Sequence, residues 1–203
     1  LAATMVLITT VLAACVVLYA VRGADHAGRY FHALFQLQLF GLNGAFLTGD
    51  LFNLFVFFEV LLIASYGLLL HGGGRDRTRA GLHFVVLNLI GSTLFLFAVG
   101  TLYGVLGMLN MADLALRVAQ VPSADLGVVR AAGLLLFVVF ALKAALAPLH
   151  LWLPSAYGHT SMPVAAMFLA PAAGAFGVEL SRVVTVMGTV LELERQVVAG
   201  MTP

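Results

Sequence analysis

Two ionisable residues stand where chemistry is expensive. Glu59 lies in "TGDLFNLFVFFEVLLIASYGLLL" (Thr48–Leu70), between Phe57, Phe58 and Val60, Leu61. Lys143, the only lysine, lies in "FALKAALAPLHLWLPSAYGH" (Phe140–His159). A charge at the centre of a membrane span costs roughly 2.5–3.5 kcal/mol on insertion scales. If the apolar runs are 51–71 and 131–153, their centres fall at 61 and 142, so both charges lie within about 3 Å of the midplane at 1.5 Å per residue. Opposite charges at one depth on different helices can fasten the helices as a buried ion pair. They can also form a proton or ion relay. Buried pairs seldom outperform apolar packing in stability, and intramembrane charges commonly mark transport paths. Burial disfavours the charged state while an opposite partner restores it, so moving either group changes the protonation of the other. That is the property a pump requires.

A second irregularity follows Lys143. Pro148 has no amide hydrogen, which leaves the carbonyl four residues earlier, at Ala144, without its helical partner. A helix break is therefore expected one residue beyond the lysine, and broken helices at this depth line ion sites in transporters. His150 falls on the second half-helix, as a packing histidine or a relay group. Trp152 reads as an interface anchor. Tyr66, seven residues from Glu59, shares nearly the same helical face and serves either core packing or the relay. Asn88 and Ser92, at i,i+4, suit water or interhelical bonds. Asp50 reads as a turn or cap residue, Glu179 and Arg182 as an i,i+3 pair, and His71-Gly72-Gly73-Gly74 as a flexible loop.

The elements that carry these residues follow from composition. Hydrophobic residues make up 62% of the 203 and charged residues 9%, with a net charge of +1, against about 25% charged in soluble domains. The chain reads as an all-α, polytopic membrane protein without the basic surface that nucleic acid demands. The single Cys15 offers neither a disulfide nor a cysteine metal site, and no helix carries paired histidines at ligand spacing. HExxH and GxSxG are missing, so metalloprotease and serine-hydrolase chemistry have no sequence support. Six apolar runs reach spanning length: Leu1–Val21, Phe31–Gly49, Leu51–His71, His83–Gly107, Ala131–Leu153 and Met162–Met187. A tight hairpin at Asp50 joins the second and third. The loops at 22–30 and 72–82 share one face and hold Arg22, Arg29, Arg75, Arg77 and Arg79, which places them in the cytoplasm. Leu114, Leu116 and Val118 mark a short interfacial helix ended by Pro122. Gly100 and Gly104 form a GxxxG that suggests close helix packing. The start at Leu1 and the stop at Pro203 suggest a fragment of a longer protein, read as one transmembrane domain over 1–203.

"GLNGAFLTGDLFNLFVFFEVLLIASYGLLL" (Gly41–Leu70) resembles the D-type subunits of Mrp-type multisubunit cation/proton antiporters. "LKAALAPLHLWLPSAY" (Leu142–Tyr157) resembles the broken-helix segment of the wider family, which includes the proton-pumping subunits of complex I and membrane-bound hydrogenases. The resemblance implies a five-helix antiporter-like unit over 31–187 preceded by one helix. It implies a proton-transfer pair at Glu59 and Lys143, with the motif histidine at His150. It further implies a hetero-oligomeric assembly with other Mrp subunits in a bacterial inner membrane, exchanging H+ for Na+ with no cofactor and no nucleic acid, and a transporter rather than an enzyme. One departure stands out. "FLAPAAGAFGVELSR" (Phe168–Arg182) carries Ala175 where the family has an intramembrane lysine, and an unexpected Pro171; either the relay is degenerate here, or Glu179 or a water chain substitutes for the lysine. Two rivals follow: a redox-coupled pump component of complex I or hydrogenase type, and a non-conducting scaffold.

Overall fold

The computed structural model describes residues 2–167, and among them every regular element is helical. The helices are α1 (Ala2–Ala20), α2 (Phe31–Leu47), α3 (Leu51–Leu69), α4 (Arg75–Leu106), α5 (Met111–Val118), α6 (Ser123–Lys143), α7 (Trp152–Gly158) and α8 (Met162–Met167). Single 3-10 turns lie at Asp25–Ala27 and Leu149–Leu151. Among the described residues four helices, α1, α3, α4 and α6, are long and apolar enough to cross a membrane. The 17 residues of α2 are at the short end of the spanning range of about 17–25.

The hairpin at Asp50 forms for local reasons. Asp50 caps α3 by accepting from the amides of Phe52 (2.9 Å) and Asn53 (3.0 Å), the role that a short acidic side chain fills at an N-terminus. Asn110 caps α5 in the same way. The two caps meet: the amide of Leu51 donates to the Leu109 carbonyl (2.9 Å) and that of Met111 to Gly49 (2.8 Å). One face of the bundle is thereby stitched together. On the other face Arg77 ties three elements, donating to the carbonyls of His71 and of His159, the latter at 2.9 Å. His71, buried against Phe31, donates from Nε2 to the Ala24 carbonyl at 3.1 Å. The arginine-bearing loops 22–30 and 72–82 therefore do share a face. Gly72, Gly73 and Gly74 all have positive φ (88°, 66° and 110°), a conformation that side chains penalise.

Several expected boundaries move. α4 begins eight residues before the predicted span, because "RDRTRAGL" continues the helix past the apolar run; at 1.5 Å per residue its 32 residues reach about 48 Å. α6 starts at Ser123, with Asp125 in its first turn favouring the positive end of the helix dipole. It ends at Lys143 rather than running to 153. α5 ends four residues before Pro122, buries Leu114 and Val118, and leaves Leu116 exposed. Gly100 and Gly104 pack against nothing among the described residues, so the GxxxG does not mark a helix contact here. The close approach is between α2 and α3, where a Cβ on Gly41 would fall 2.6 Å from Leu61 Cβ and one on Gly44 would overlap the Phe57 ring.

Candidate functional site

The end of α6 is a Schellman motif. The amide of Leu146 reaches the Ala141 carbonyl (2.9 Å) and that of Ala145 the Leu142 carbonyl (3.2 Å), the 6→1 and 5→2 bonds that close a helix. Ala145 takes the left-handed position at φ 52°, where glycine is usual. The break thus opens at Ala144, the predicted position, but the left-handed alanine forms the corner. Pro148 follows three residues later and leads the 3-10 turn.

Lys143 is the last residue of α6 and is 4% exposed. Its depth follows from α4 and α3 rather than from the centre of its own helix. Tyr66 packs edge-on against Phe84 (5.7 Å) and Phe55 stacks on Phe95 (5.7 Å), which fixes an antiparallel register. Four residues on from Phe55 is Glu59, and four back from Phe95 is Gly91, so these two lie level. Gly91 faces the end of α6: a Cβ there would sit 3.8 Å from Lys143 Cε and 3.4 Å from Leu142 Cδ2. Glu59 and Lys143 therefore occupy one level of the bundle.

Between α3, α4 and α6 lies a cluster of rings. Phe58, Phe95 and Phe140 meet edge to face at 5.5–6.3 Å. The Nζ of Lys143 stands 5.8 Å from the Phe58 centroid, within cation–π range. Phe58 precedes Glu59 in the chain, so the ring links the two charged groups. On the arginine face, ion pairs join Asp25 to His26 and His32. Oε1 of Glu59 is buried with no hydrogen-bond partner among the described residues.

The other candidates separate. Tyr66 is half-buried and packs on Phe84. Asn88 is buried on α4, donating to the Phe84 carbonyl (2.9 Å), with Ser92 one turn on. His150 is exposed on the 3-10 turn, none of whose residues is buried. Pro171, Ala175, Glu179 and Arg182 lie outside the described residues. Trp152 is no interface anchor: it is 8% exposed and donates Nε1–H to the Leu142 carbonyl at 3.2 Å. One residue escaped the sequence reading. Gln38 on α2 is fully buried, and both of its amide atoms lack hydrogen-bond partners among the described residues; the only signal was an amide inside the apolar run "LFQLQLF". On the arginine face, burial would push the Asp25 carboxyl up, but the hydrogen bond from His32 (3.2 Å) and the charge of His26 hold it below the usual carboxylate range.

Residues 48–199 match the family described as NADH:quinone oxidoreductase/Mrp antiporter, transmembrane. The chain belongs to this family. Among its antiporter-family relatives, the D-type subunit of a probable K(+)/H(+) antiporter of Rhizobium meliloti is 51% identical over 168 residues, covering 83% of this chain and 31% of the relative. The D-type subunit of the Na(+)/H(+) antiporter of Bacillus subtilis is 41% identical over 169 residues, covering 82% and 34%. The solved structure of the Mrp complex from Dietzia sp. DQ12-45-1b matches with a TM-score of 0.81 at 34% identity, covering 92% of this chain and 35% of that one. An archaeal membrane-bound sulfane sulfur reductase matches at 0.73 and 34% identity, covering 80% and 33%. The chain spans about a third of the length of the curated relatives it matches.

Proposed function

We propose that this chain supplies the proton-transferring part of the D-type subunit of an Mrp antiporter, which exchanges monovalent cations for protons and is assembled from several membrane subunits. It acts as a transporter component in a bacterial cell membrane, not as an enzyme. The observation that carries the reading is Lys143, buried at the break of α6 and level with Glu59. In the proposed mechanism Glu59 and Lys143 exchange a proton, with Phe58 and its neighbouring rings excluding water between them. Tyr66 is the proposed hydrogen-bonding extension on the Glu59 side, while His150 and Glu179 are proposed for the onward path. Residues 31–187 form the proposed five-helix unit. The proposed partners are the remaining Mrp subunits and the lipid around them.

The test is Glu59→Gln in the complete assembly, with cation-driven proton movement measured in everted vesicles. Loss of at least nine-tenths of the rate is expected, and an unchanged rate removes Glu59 from the relay. Na+ is the proposed coupling ion; the potassium-named relative from Rhizobium meliloti makes K+ the alternative, and the same vesicles driven by each cation distinguish them. The likeness to the sulfane sulfur reductase favours a second reading, a component of a redox-coupled pump. Co-purification with iron–sulfur subunits would select it.

A further inference from the structure

We propose that Trp152 is the positioning residue for Lys143, a latch that holds the end of α6 and closes the inner end of a cleft from the arginine face. The proposal rests on the relay reading for its functional meaning, but the positioning itself is measurable without transport.

Helix ends leave carbonyls without partners. At the end of α6 the Leu142 carbonyl accepts two donors, the amide of Ala145 and the indole Nε1–H of Trp152, each at 3.2 Å. The second donor belongs to the next helix. α7 thus grips α6 one residue before Lys143, from across the break. The indole has little freedom, with its ring against Phe84 of α4 (5.4 Å) and Tyr157 of α7 itself (6.1 Å). The far end of α7 is fixed as well, since Arg77 Nε donates to the His159 carbonyl at 2.9 Å. A short helix held at both ends makes a rigid strut, and the indole bond joins it to the end of α6.

The same indole bounds an open space. A cleft of about 470 Å3 lies between α4 and α7, with Asp76, Arg79, His83, Ser155 and His159 in its wall and Trp152 among its apolar lining. Polar side chains make this cleft wettable from the arginine face. Trp152 both lines it and reaches the Leu142 carbonyl, one residue before Lys143. Releasing the indole bond frees the end of α6 and opens the cleft toward Lys143 in a single movement.

Trp152→Phe keeps an aromatic plug and removes the N–H donor; Trp152→Leu, which also lacks a donor, is the second variant should the first fail to assemble. In the assembled complex, with Cys15→Ser as background, Lys143→Cys is labelled with a charged methanethiosulfonate added from the arginine face. Loss of the indole bond is expected to accelerate labelling at least tenfold. With Lys143 intact, the same variant is expected to shift the midpoint of the transport pH profile by at least half a unit with the cation KM unchanged. Equal labelling rates with and without the indole, in a correctly assembled complex, overturn the proposal. Accelerated labelling together with full transport by Lys143→Ala supports the latch and removes the relay instead.

Discussion

Gly91 leaves a place on α4 that the end of α6 fills. An added Cβ would make ordinary contacts with Leu142 and Lys143, so Gly91→Ala is expected to keep at least half of the transport rate. Gly91→Leu forces bulk into the space of Lys143 at an overpacking cost of about 1–3 kcal/mol, and is expected to abolish transport while assembly is retained; comparing the two in vesicles checks it. Asp25 offers a separate test outside the membrane. Its carboxyl is held below the usual range by His32 and His26 against the effect of burial. A depressed folded value means that the stabilisation is fully present above the unfolded pKa of about 4 and is lost as pH falls through the lower folded value. Thermal stability of the solubilised assembly should fall for Asp25→Asn near pH 6, and the difference should close below about pH 4. A constant difference across that range would show that the carboxylate charge is irrelevant. Glu59 and Lys143 were legible as candidates because a charge in an apolar run has few structural reasons to persist. Gln38 was not, since an uncharged amide leaves a much weaker mark.

At the scale of elements, the corner after Lys143 is the feature least visible in the sequence. Pro148 announced a break, but the left-handed residue is Ala145, and alanine carries no signal for that position. The conformation costs an L-residue roughly 1–2 kcal/mol, so Ala145→Gly is expected to stabilise the assembly by about 1 kcal/mol, read as a higher melting temperature in detergent. A lower one would contradict the Schellman geometry. Span boundaries were misjudged for a related reason: apolar runs measure what lies in lipid, whereas helices such as α4 and α6 continue through polar residues beyond it. Glycine spacing misled too. GxxxG at Gly100 and Gly104 has no packing role among the described residues, while Gly41 and Gly44 seat α3 against α2. Gly44→Leu is expected to destabilise the α2–α3 pair by about 1–3 kcal/mol and reduce assembled complex on gels, whereas Gly100→Ala leaves it unchanged.

For the whole molecule, two stitched faces define a direction. The Asp50–Asn110 bridge closes one side, and Arg77 with His71 closes the other, where the arginines gather. Between them α6 and α7 meet end to end around Lys143, and Glu59 stands level with it on α3. Membership of the NADH:quinone oxidoreductase/Mrp antiporter family gives this arrangement a context, and the chain spans about a third of the length of the curated relatives it matches. The central claim is that Glu59 and Lys143 act as one unit in moving protons. A double-mutant cycle in everted vesicles of the complete assembly tests it, with Glu59→Gln, Lys143→Ala and both together, reading the initial rate of cation-driven proton movement. Groups that act as a unit are strongly non-additive, so the double variant is predicted to be no slower than the slower single variant. Two losses that multiply, or a full rate in either single variant, would contradict the account.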